Sequence, residues 1–166
     1  MKRNILKIIG GSIFTFTVIL TVALGVAFAQ EKAELQGSGG RIDGTWNVRV
    51  TLRNCQTGAA ITSFDSLTTF MSGGILLDST SNIPQAMKTP GQGVWSHTTN
   101  NTYQFSFKSF SFDAAGVYTG WTIIRHEAVL NSRGTAYESM GTAEIYAPDG
   151  TLTVTRCSTT TATRFE

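Results

Sequence analysis

Arg125, His126 and Glu127 stand in succession and bring a cation, an imidazole and a carboxylate within three residues of one another. A titrating group within hydrogen-bond reach of a bound substrate can move a proton, so His126 and Glu127 are the two candidates for catalysis. Consecutive side chains of a strand face opposite ways, so the three cannot act as one group. If His126 points inward it lies with Thr122, Ile124, Ala128 and Leu130, a lone polar group in an apolar lining. If Arg125 and Glu127 point inward, Arg156 joins them through the Leu152, Val154, Arg156 parity. Such a buried charge network marks ligand sites and structural sites alike. The sequence leaves both orientations open.

Other chemistry is scarce. The second histidine, His97, is remote in sequence, and there is no H-x-H, H-E-x-x-H or cysteine cluster, so neither a zinc nor an iron site is expected. No serine stands in a nucleophile elbow, and the glycine-rich stretches lack the helix that a phosphate loop needs. No cofactor is implied. What the chain does offer is aromatic surface: Trp95, Tyr103, Phe105, Phe107, Trp121 and Tyr137 can line a site for an apolar molecule, with Arg125, His126 and Arg156 as its polar points. Phe110 and Phe112 have the opposite parity to Phe105 and Phe107, and a bulge near Lys108-Ser109 would return them to the same face.

Those residues must be held by strands. Trp46, Val48, Val50 and Leu52 alternate with Asn47, Arg49, Thr51 and Arg53, the period of a sheet with one dry face. Further strands are expected at about 66–71, 75–79, 93–98, 102–112, 118–130, 136–146 and 151–165, rich in Thr, Val, Ile, Phe, Tyr and Trp. Ser72-Gly73-Gly74, Asn100-Asn101, Asp113-Ala114-Ala115-Gly116, Asn131-Ser132-Arg133-Gly134 and Pro148-Asp149-Gly150 supply the turns between them. Short connections between sequential strands make a meander, and eight strands closed on themselves make an all-β, antiparallel, up-and-down barrel. Long connections at about 54–65 and 80–92 fall at the same end and predict a cup with one open rim. The second, with Pro84 and Pro90, is the candidate lid. On the seventh strand Tyr137, Ser139, Gly141, Ala143 and Ile145 share a face whose small residues leave volume inside.

Cys55 and Cys157, the two cysteines of the chain, fall at the first and last strands with outward parity, which predicts a disulfide across the closing seam. Export fits that pairing. Lys2, Arg3 and Lys7 precede an apolar run from Ile8 to Phe28, and Ala27-Phe28-Ala29 reads as a cleavage signal, so residues 1–29 are expected to be a helical secretory signal peptide. The alternative is a retained membrane anchor, since the run is long enough to span a bilayer. Residues 30–43 read as a polar, glycine-containing leader and 44–166 as the barrel domain. Cleavage removes three of the 13 basic residues and none of the 11 acidic ones, leaving a net charge of about −1. A chain of that charge with no basic run gives no reason to expect nucleic acid or an anionic membrane as partner.

Gly44-Thr45-Trp46 opens the first strand, and Arg164 ends the eighth, which returns beside it. This arrangement resembles that of the lipocalins and wider calycins, in which a basic residue from near the C-terminus covers the tryptophan of a Gly-x-Trp. The resemblance implies a secreted barrel that holds a small apolar or amphipathic molecule, with Trp46 and Arg164 in a structural role. Two other readings stand beside it. One is a barrel isomerase or cyclase acting through His126 or Glu127 on an apolar substrate, and the other a structural barrel acting through its outer surface. An outer-membrane barrel is disfavoured because the second to fourth strands, as expected here, are shorter than the roughly 9–11 residues that a crossing needs.

Overall fold

The structure is a computed structural model in which residues 42–165 are described. The expected signal peptide and residues 30–41 of the leader lie outside the described residues. Eight strands, β1 (Gly44–Arg53), β2 (Ala60–Met71), β3 (Ile75–Thr80), β4 (Gly91–Thr99), β5 (Thr102–Phe112), β6 (Tyr118–Leu130), β7 (Ala136–Tyr146) and β8 (Leu152–Arg164), pair in chain order. They form a closed, antiparallel, up-and-down barrel. The β1–β8 ladder that closes it runs from Trp46 opposite Arg164 to Arg53 opposite Cys157.

Trp46, Val48 and Val50 face the interior as their alternation requires, and the inward set continues through Phe70, Leu76, Phe105, Phe107, Leu130 and Tyr137. Three expectations need correction. The segment Ala60–Asp65 belongs to β2, because Phe64 pairs with Val50 and the outward hydroxyls of Thr51 and Ser63 bond at 2.9 Å. The first connection is therefore short, and the asymmetry of the rims rests on the 81–90 connection, which contains a single 3₁₀ turn at Gln85–Met87. β2 and β4 have 12 and 9 residues while β3 has 6, so of the three strands expected to be too short for a membrane crossing only β3 is. The bulge near Lys108-Ser109 does not occur either. The β5–β6 register is unbroken from Thr102 to Ser111 and shifts only at Phe112, so Ser109 is buried and Phe110 faces outward. Phe110 is sheltered there by the ammonium of Lys108, 5.2 Å from its centroid, and by Tyr118 at 6.1 Å.

The tight-turn end is plugged. Ile42, at the edge of the expected leader, is fully buried, and its carbonyl accepts a 2.8 Å hydrogen bond from the Trp46 indole. Tyr137 packs edge-on against Trp46 at 4.9 Å, and Phe70 meets Tyr137 at 5.9 Å and Phe105 at 5.4 Å. Over the indole lies Arg164, its guanidinium carbon 4.4 Å from the ring centroid. Its Nε donates to the Gly134 carbonyl at 2.6 Å and its Nη1 to the Asp43 carbonyl at 2.8 Å. The glycine of Gly-x-Trp has a reason as well: Gly44 has φ +120°, and a Cβ there would lie 2.7 Å from Arg164 Nη1.

At the other end of the seam Cys55 and Cys157 form a disulfide with Cα atoms 5.0 Å apart. Cys55 sits in the turn just past β1 rather than within the strand. Beside it Arg53 donates from Nε to the Thr159 hydroxyl at 2.9 Å, crossing the seam.

Replacing Arg164 with Ala removes a cation–π contact and two charged hydrogen bonds, and should lower stability by about 1–3 kcal/mol. The denaturant midpoint reads this directly; an unchanged midpoint would remove the plug from the account. Thiol counting on unfolded, unreduced protein should find no free cysteine. Reduction should then destabilise the barrel by up to ~4–5 kcal/mol for a bridge spanning 102 residues.

Candidate functional site

Above the plug the barrel is hollow. A cavity of about 160 Å³ is walled by Val48, Val50, Phe105, Phe107, Ile124 and Ala143 and reaches the rim, where Asn82, Ile83 and Lys88 line it from the 81–90 connection. Lys88 is brought there by a bridge between its backbone and that of Ser111, next to a Thr89 amide that donates to the Phe110 carbonyl at 3.0 Å. Gly91 and Gly93 on β4 create part of the shape, since a Cβ at either position would collide with Phe107.

Of the residues expected at a site, Phe105, Phe107, His126, Tyr137 and Arg156 line this cavity, Arg156 as an exposed side chain. Tyr103 and Trp95 belong to the packed closed end, 5.9 Å apart, and Trp95 donates its indole proton to the Met71 carbonyl. Trp121 points outward, stacked on Tyr146 at 5.3 Å beneath the Lys108 ammonium at 4.2 Å. Arg125 and Glu127 also face outward, and Arg125 lies 3.8 Å from Glu144. No buried network of Arg125, Glu127 and Arg156 exists, and Glu127 cannot reach a molecule in the interior. The cause is register: His126 pairs with Gly141, whose missing side chain leaves room for the imidazole, and a Cβ there would lie 2.6 Å from His126 Cδ2. The small residues of β7 therefore do two things, Ala143 bordering the cavity while Gly141 is filled by the ring.

His126 is 6% exposed and bonded at both nitrogens, Nδ1 to the Ser139 hydroxyl at 2.7 Å and Nε2 to the Ser158 hydroxyl at 2.8 Å. Ser139 in turn meets the Thr160 hydroxyl at 2.6 Å. A neutral imidazole donates from one nitrogen and accepts at the other, which two hydroxyls satisfy. Burial holds its pKa down at about 4, so the ring is uncharged at neutral pH.

The opposite wall carries a group that sequence reasoning missed. Asp78 is 5% exposed, and its Oδ2 accepts hydrogen bonds from Ser66 at 2.7 Å and Thr68 at 2.8 Å. Burial pushes its carboxyl pKa up, while the two hydroxyls and the charge of Lys88 pull it back. Burial likewise lowers the Lys88 pKa, partly offset by Asp78. Burial also raises the Tyr137 phenol, with the Asp78 charge as a smaller cause. The sequence signal for Asp78 was an acid in the middle of a strand, where acids are depleted.

Comparison with known protein families returns no match, and comparison with curated proteins returns none.

A histidine that must stay neutral in the fold destabilises it as the unfolded chain gains a proton. With a folded pKa near 4 and an unfolded value near 6.5, the loss begins below about pH 6.5 and is complete near pH 4, with a magnitude of roughly 3 kcal/mol. The raised carboxyl of Asp78 works in the opposite direction, so the difference between wild type and His126→Gln isolates the histidine. The gap between their stabilities should narrow as pH falls through this window; a gap independent of pH would mean that His126 is not held neutral.

Proposed function

We propose that the barrel is an exported container for one small apolar or amphipathic molecule, held in the cavity above the plug. The observation that carries this reading is the cavity itself: about 160 Å³ of space with mainly apolar walls and a few convergent polar groups, reaching one rim. The Cys55–Cys157 disulfide is consistent with an oxidising, extracytoplasmic compartment. A lipocalin-like assignment fits the strand count, the strand order and the Trp46–Arg164 plug.

The isomerase or cyclase reading has less support, since Glu127 is outward and both nitrogens of His126 are engaged by hydroxyls. Membrane insertion of the barrel is disfavoured by its outer face. Arg49 pairs with Asp65 at 2.8 Å there, and Glu127 and Glu138 project from β6 and β7. An Arg or Lys on the lipid-facing midplane costs about 2–4 kcal/mol.

Titration with toluene followed by amide NMR should shift resonances of Phe105, Phe107 and Ile124 and saturate at one molecule per chain. Ala143→Phe should abolish the shifts with stability nearly unchanged, because the new ring occupies empty space. In a filled core the same substitution would cost about 1–3 kcal/mol. Loss of stability in that variant together with no saturable binding to wild type would overturn the container reading.

A further inference from the structure

The cavity is not uniformly apolar, and its one acidic group is only half used. Ser66 and Thr68 both donate to Oδ2 of Asp78, and among the described residues no donor is paired with Oδ1. Asp78 lines the cavity, so Oδ1 is the oxygen left to face its contents. Oδ1 is thus open to the cavity and without a protein donor, and a ligand hydroxyl that donates to it gains a hydrogen bond that the apolar walls cannot offer. Lys88 lines the same cavity from the rim connection, and no ion pair joins it to Asp78 among the described residues, although each feels the other's charge. The two groups are therefore separated, and in their ionised forms they are of opposite sign. An amine would satisfy Asp78 but face Lys88; a carboxylate would satisfy Lys88 but face Asp78. A hydroxyl both donates and accepts, and it is neutral. The remaining walls are aromatic and aliphatic, and a dry cavity of about 150 Å³ holds one benzene ring.

We infer that the cavity takes a small neutral ring compound bearing a hydroxyl, a phenol or cyclic alcohol, with the hydroxyl between Asp78 and Lys88 and the ring among Phe105, Phe107 and Ile124. This rests on the container reading and gives it a ligand class.

The test is calorimetric titration of the folded, disulfide-bonded protein with phenol, toluene, benzylamine and benzoate. Phenol should bind at one per chain and about tenfold or more tighter than each of the other three, the effect of a hydrogen bond to a charged group. Asp78→Asn should cut the preference for phenol over toluene to about threefold or less while leaving toluene binding unchanged. Lys88→Met, which keeps the length of the side chain and leaves the backbone bridge to Ser111 in place, should reduce the same preference. If the Asn variant does not fold, the ranking of the four compounds on wild type and the Lys88→Met variant still decide. Toluene binding as tightly as phenol, or benzylamine or benzoate binding more tightly, would overturn the hydroxyl seat and leave the container intact. Binding of none of the four would overturn the container reading itself.

Discussion

Everything in this molecule depends on β8 finding β1. A meander of eight strands left open would expose two edges with unpaired amides and carbonyls, and its apolar face would have nothing to close against. The β1–β8 ladder removes both problems at once, and the chain secures it at each end by different means. At the plugged end Arg164 lies across the Trp46 indole and ties the carbonyls of Gly134 and Asp43 together, so three separate stretches of chain converge on one side chain. At the open end the Cys55–Cys157 bridge and the Arg53–Thr159 bond hold the last residues of the seam. A side chain that is planar, always charged and able to donate in several directions suits the first position, and lysine would not replace it.

Closure then sets the terms inside. A small barrel can fill its interior with side chains or leave a space, and here it does both by level. Near the plug, Trp46, Phe70, Tyr103 and Tyr137 fill the cross-section. Higher up, glycines on β4 and β7 let Phe107 and His126 lie against bare backbone, and the residual volume collects between two polar groups on opposite walls. Those groups are tolerable because hydroxyls from neighbouring strands satisfy them: serines on β7 and β8 for the imidazole, a serine and a threonine on β2 for the carboxylate. Asp78 Oδ1, which accepts no hydrogen bond from a described residue, belongs to a side chain that borders the space rather than the packed wall.

Much of this architecture is legible in the residues. The alternation in β1 separates its faces cleanly, and strand direction alone brings Arg164 to Trp46. The disulfide is legible from the placement of the two cysteines at the first and last strands, although Cys55 lies in the turn past β1, where strand parity no longer applies. Legibility fails where both faces of a strand have similar polarity. In β3, Ile75 and Leu77 are outward and exposed while Leu76 and Asp78 are inward, so hydropathy hides the one acid that matters. In β6 either parity is plausible until β7 is set beside it, and the choice is made by Gly141 across the ladder. Phe110 and Trp121 face outward against expectation because Lys108, Tyr118 and Tyr146 cover them, a local cluster that no period reports. Lys88 reaches the cavity through a loop-to-strand bridge, for which the sequence has no marker.

The Phe165 amide donates to the Thr45 carbonyl at 2.9 Å, so the two ends of the described chain leave the barrel side by side, at the plugged end. The mouth is at the far end. A tether joined at Ile42 or Phe165, whether a fused domain, an affinity handle or a sensor surface, would therefore hold the barrel by its base with the opening turned away from the support. The geometry suits immobilisation, because exchange with the surrounding solution does not have to pass the point of attachment.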